Sequence, residues 1–160
     1  MDYLSPDQVV DFVEGTVIFV DRSQPPPSVV STLEARVQGF ARTQQQPLAY
    51  LHVVLDVPTT GRLNEESRTA MIAAGRRHME LFDRAAMVLI TQGFMGAAMR
   101  AMFSGALMAL RTKVPFKVFS AEREAIEWLC SAQLGGGRPR DAAKVMSAVA
   151  AITAALQPPR

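Results

Sequence analysis

One stretch constrains the fold more than any other: residues 83–129, DRAAMVLITQGFMGAAMRAMFSGALMALRTKVPFKVFSAEREAIEWL. Ala85 to Ile90 is six apolar residues in a row, the pattern of a central strand covered on both faces. Thr91-Gln92-Gly93 breaks it, and an apolar segment runs from Gly93 to Leu110 at helical spacing. Pro115 to Phe119 is a short second strand. Ser120 is placed to cap a helix that carries Glu122 and Glu124 in its first turn, where acids suit the positive helix end. Strand, helix, strand and helix in succession call for a small α/β domain with parallel strands.

The segment Gly93–Leu110 is unusual because only Arg100 and Ser104 interrupt its apolar surface, one turn apart on one stripe. Met95, Met99, Met102 and Met108, with Phe94, Phe103, Leu107 and Leu110, take nearly all other positions. A helix apolar almost all round needs a covering surface besides its own sheet. Core packing comes first, and a subunit interface through Met99, Met102 and Phe103 second. Third is an apolar small molecule or lipid, its polar head fixed by Arg62 or Arg100. The stretch is marginal in length for a bilayer and carries a charge, so no transmembrane segment is expected.

The chain before this unit reads in the same terms. Gln8–Phe12 and Thr16–Val20 are β-rich runs around Glu14-Gly15, a hairpin with Gly15 free to adopt a positive φ. The prolines of Ser23–Pro27 stop the sheet. Ser28 or Ser31 can cap the next helix, Ser31 with Glu34 having capping-box spacing, and Val30, Leu33, Val37 and Phe40 form its packed face. Leu48–Val57 is the next strand, with His52 expected as a packed sheet histidine. Asp56, Thr59, Thr60 and Arg62 follow in the loop beyond that strand's carboxyl end, where α/β proteins place ligands, and Thr91 and Gln92 occupy the corresponding turn after Ile90. Asn64 is an N-cap for a helix opening with Glu65 and Glu66. Met71, Ala74, His78 and Leu81 are its packed side, His78 a packed histidine, with Arg76, Arg77 and Glu80 solvated.

At the other end, LGGGRPR (residues 134–140) reads as a joint. After Asp141 a helix presents Val145, Val149, Ile152 and Leu156 on one stripe that demands a partner surface in the same chain or a neighbour, so Val149 and Ile152 are candidate interface residues. Trp128 is either the anchor of its helix or an exposed aromatic contact. The expected organisation is an α/β domain over 1–132, a Gly-rich joint over 133–140 and an appended helix and tail over 141–160.

Seventeen basic and 15 acidic residues give a net charge of +2, and the basic residues are scattered, which argues against nucleic acid as partner. One cysteine, Cys130, excludes an intramolecular disulfide framework and a Cys-based metal cluster. The N-terminus MDYLSPDQVVDF lacks the layout of a signal peptide, so a cytoplasmic setting is expected. No Walker or GxGxxG pattern occurs, and His52, Asp56 and Thr59 or Thr60 come with no defined nucleophile. No catalytic residue, cofactor or metal ligand is assigned.

The order β-β-α-β-α-β-α, with PFKVF leading into SAEREAIEWL, resembles the SpoIIAA-like group of the STAS fold over roughly residues 8–130. The resemblance implies a four- to five-stranded, mostly parallel or mixed sheet with helices, here followed by a C-terminal amphipathic helix. It implies a non-enzymatic regulatory or protein-interaction domain, either a homo-oligomer or bound to a regulatory protein. Anti-anti-sigma members carry a phosphoacceptor in an Asp-Ser-Ser/Thr-Gly loop. The matching segment here is Pro58-Thr59-Thr60-Gly61, which makes Thr59 or Thr60 the acceptor and puts proline where the family has aspartate. A small-molecule or lipid-binding module and an enzyme are the alternative readings.

Overall fold

The structure, a computed structural model, describes residues 1–55, 64–90, 113–131 and 139–156. Six strands, β1 (Asp2–Ser5), β2 (Gln8–Val13), β3 (Thr16–Asp21), β4 (Leu48–Val54), β5 (Phe82–Leu89) and β6 (Phe116–Phe119), lie side by side in chain order. β1, β2 and β3 are antiparallel neighbours, whereas β3 to β6 run parallel. The mixed sheet follows the expectation with one strand more. β1 escapes the sequence because four residues with a register shift between Tyr3 and Ser5 carry no clean alternation. The hairpin turn is sharper than one glycine allows for. Both Glu14 (φ 52°) and Gly15 (φ 70°) are left-handed, the geometry that a two-residue hairpin turn requires.

Four helices flank the sheet in the described residues: α1 (Pro27–Ala41), α2 (Glu65–His78), α3 (Glu122–Cys130) and α4 (Ala142–Leu156). Their starts correct some expected caps. α1 begins after Pro26, with Pro at its first turn and no side-chain cap. The Ser31 hydroxyl instead donates back to the Pro27 carbonyl at 3.1 Å, and Glu34 is engaged elsewhere. Proline at the first helical position removes an N–H that would need a cap and presets φ, so the capping box is dispensable. α3 likewise starts after Ala121 without a side-chain cap, not from Ser120. Asn64 caps α2 by accepting from the Glu66 N–H at 2.9 Å. Asp141 caps α4 by accepting from the Ala143 and Lys144 N–H groups.

Strand alternation divides the core. Val10, Val17, Phe19 and Leu48 face α1, where Leu33 and Val37 meet them. Val9, Ile18, Val20, Ala49, Leu51, Val53, Ala86 and Val88 face α3 and α4, and Ala125, Ile126, Leu129, Val145, Val149, Ile152 and Leu156 close that side. α4 thus packs on the sheet of its own chain, with Val149 and Ile152 fully buried. The proposed helix 93–110, with Met99, Met102 and Phe103, and most of the joint 133–140 lie outside the described residues.

Candidate functional site

β2, β3 and β4 are in register so that Gln8 pairs with Asp21 and Phe19 with His52. Residues opposite one another in a sheet share a face, so Gln8, Asp21 and His52 form a polar row in the α1-side layer, towards the carboxyl end of β3. Asp21 closes β3 beside Val54, the last residue of β4, and Val54 in turn pairs with Leu89, the last of β5.

The centre of the row is a His–Asp pair. The His52 Nε2 and Asp21 Oδ2 atoms are 2.7 Å apart, and the two residues are 4% and 2% exposed. Phe19 and Tyr50 flank the imidazole, with ring centroids at 4.9 and 6.3 Å. With Nε2–H donating to Asp21, both Nδ1 and Asp21 Oδ1 are buried without a hydrogen-bond partner among the described residues. Burial, helped by the negative charge of Asp21, pushes the Tyr50 hydroxyl far above the usual tyrosine range, so it stays protonated. Gln8 extends the row: its amide donates to the Ser23 carbonyl and hydroxyl at 2.8 and 2.9 Å and accepts from Ser5, while Ser23 donates to Asp7. The row therefore ties the turn before β2 to the chain leaving β3.

Chemically the pair has the parts of a positioned base, an imidazole oriented by a carboxylate. Its setting is that of a core contact: aromatic rings lie beside it, and neither functional atom reaches solvent. Removing one partner would leave a buried uncompensated group, at a cost of about 3–5 kcal/mol. Sequence reasoning placed His52 in the sheet but missed Asp21, because a strand-ending aspartate reads as a turn residue until the register puts it near the histidine.

Asp56, Thr59, Thr60, Arg62, Thr91 and Gln92, the residues of the expected ligand or phospho-switch loop, lie outside the described residues. Trp128 is half-buried on α3 against Phe119 of β6, with ring centroids 5.7 Å apart. The Arg84 guanidinium and Lys117 ammonium stand 4.9 and 5.0 Å from its ring centre. Arg84 also donates to the Trp128 carbonyl at 2.8 Å. Two cations, one from β5 and one from β6, are thus engaged with this aromatic ring. Val149 and Ile152 leave no exposed area for a neighbouring chain.

Two polar clusters change the expected roles of single residues. His78 is not packed in an apolar stripe: its Nε2 lies 3.0 Å from Glu34 Oε1 and 3.2 Å from the Gln38 amide. Arg77 is exposed, as expected, and from there grips both oxygens of Glu34. The reason is that α2 packs on α1, whose facing turn presents Glu34 and Gln38. The second cluster was not foreseen. Arg140, just before α4, donates to Asp83 Oδ2 at 2.8 Å and to the Pro47 carbonyl at 2.9 Å, with both charged side chains over nine-tenths buried. Cys130 is buried and reduced, and burial pushes its thiol up, away from the reactive thiolate. No group of three or more His, Cys, Asp or Glu among the described residues can hold a metal ion. None of the described helices is long and apolar enough to cross a membrane.

No protein-family model matches the chain, and no curated protein matches it significantly. It is similar to the crystal structure of an uncharacterized protein from the DUF3478 family with a SpoIIAA-like fold from Shewanella loihica PV-4. The TM-score is 0.56 at 16% identity, covering 77% of this chain and 92% of the other. The chain has the SpoIIAA-like fold, as the sequence resemblance implied.

Proposed function

We propose that this chain is a non-enzymatic regulatory domain that acts in the cytoplasm by binding protein, as a homodimer or on a regulatory partner. The observation that carries the reading is the sealing of the Asp21–His52 pair. It is the most catalytic-looking arrangement among the described residues, and it sits inside the core with side chains 3% and 5% exposed. A dyad with no access to substrate contributes to the fold and not to turnover. The SpoIIAA-like fold of a distantly similar protein supports the same reading.

The test is the mass of the full chain in solution by size-exclusion chromatography with light scattering, over a hundredfold range of concentration. The expected result is a species of twice the 17.4 kDa chain mass. If the chain is a monomer throughout, the homodimer falls and the reading reduces to a regulatory partner. Hydrolytic or transferase turnover that disappears in His52→Gln while the variant stays folded would overturn the non-enzymatic reading altogether.

A further inference from the structure

The outermost parallel strand, β6, and the helix above it carry a surface that the core does not explain. Lys113 and Lys117 are exposed, and Trp128 lies against Lys117 and against Arg84 of β5. No ion pair joins Arg84, Lys113 or Lys117 to a carboxylate of the described residues, and Arg84 Nε, unlike the Nη1 that donates to the Trp128 carbonyl, is buried with no hydrogen-bond partner among them. Of the three acids on the overlying helix, Glu124 is exposed and forms no ion pair with these cations among the described residues, and Glu127 is taken by Arg123 at 2.9 Å. Glu122, with its neighbour Thr153, belongs to the contact with α4. Two cations without an ion-pair partner among the described residues therefore flank one aromatic ring at a sheet edge, and the exposed Lys113 stands just before that strand.

We infer that this edge, β6 with Trp128, Arg84, Lys113 and Lys117, docks an acidic, extended segment of a partner protein. The inference rests on the interaction reading above and names its surface. An edge strand offers backbone groups for strand addition. Lysine at such an edge repels apolar and basic strands, the usual protection against aggregation. The same lysines attract a strand bearing carboxylates, so the device that excludes wrong partners selects an acidic one. Trp128 adds an apolar contact whose ring is already polarised by two cations. A duplex nucleic acid needs a longer basic stripe, and an anionic membrane needs a cluster of about four to eight basic residues.

Trp128 is the sole tryptophan of the chain, so intrinsic fluorescence reports the site directly. The full-length protein is titrated with a ten-residue peptide of alternating Glu and Val, and with its Lys/Val counterpart. The expected result is a saturable change in Trp128 emission with the Glu peptide alone, weakened at least tenfold between 50 and 500 mM salt on general electrostatic grounds. Lys117→Glu should weaken it at least tenfold, and Lys117→Arg should retain it. Lys113→Glu, which leaves the contacts of Trp128 untouched, covers the case in which Lys117→Glu disturbs the helix. An absent response to the Glu peptide, an equal response to the Lys peptide, or unchanged binding in both Glu variants would overturn the inference. So would saturation only by phosphatidylserine vesicles or duplex DNA. A negative titration beside a dimer seen by light scattering would remove this surface and leave the interaction reading standing.

Discussion

α4 and α2 are helices of nearly equal length, 15 and 14 residues, held to the molecule in opposite ways. α4 places Val145, Val149, Ile152 and Leu156 against the sheet and α3, all buried. At about 1.5–3 kcal/mol for each large apolar side chain taken from water, that stripe is the main bond. α2 buries only Ser67. It hangs on α1 through Glu34, which receives Arg77 and His78, and on the chain after β3 through a reciprocal clip between Gln24 and Asn64. The contrast teaches which parts of the domain can move. An apolar stripe is indifferent to salt and opens with the whole fold, whereas partly exposed ion pairs are worth about 0–1 kcal/mol each and open locally.

The largest expected effect tests the α4 side. Ile152→Asp puts a charge at a fully buried position and should cost more than about 4 kcal/mol, leaving the chain unfolded by circular dichroism. A folded variant with a merely detached α4 would show instead that the rest of the domain stands without it. Arg140→Met comes next and probes whether α4 is held by apolar burial alone. Asp83 would remain buried with neither oxygen paired, at an expected loss of about 3 kcal/mol in urea unfolding. A loss below about 1 kcal/mol would make the apolar stripe the whole attachment.

Glu34→Gln addresses α2. Global stability should fall by less than about 1 kcal/mol, yet amide exchange in α2 should rise severalfold with α4 unchanged, and 1 M salt should mimic the substitution in the wild type. Equal acceleration in both helices would erase the contrast. The smallest effect is at the α3–α4 contact. Burial raises the Glu122 carboxyl above its ordinary 4.5, the Thr153 hydroxyl acting against the rise. The folded state therefore favours the neutral acid. Its stabilising contribution is complete below the ordinary value and is lost as pH rises through the raised one. Glu122→Gln should flatten that part of the pH–stability curve and gain at most about 0.5 kcal/mol at neutral pH, discounted for the solvent that the half-exposed side chain reaches.

Much of this contrast was legible beforehand, and unevenly. The α4 stripe is visible because period-3.6 apolarity is written in the residues themselves, and Asn64 is legible as a cap because capping is local. Glu34 was read as a capping-box partner of Ser31, since spacing within one helix is all that a sequence displays. That its carboxylate turns to Arg77 and His78 depends on the docking of two helices. β1 was lost because a short edge strand needs a neighbour to define it.

By itself the sequence determined the layered α/β character, the order of the described strands and helices from β2 onward, and the amphipathic faces, because each depends on interactions spanning a few residues. Only the tertiary structure decided that α4 covers the sheet of its own chain, that Asp21 meets His52, and that Arg140 meets Asp83. Each of those contacts closes a loop of 31 residues or more. Which distant groups meet is set by sheet register and helix docking, which short-range preferences do not encode.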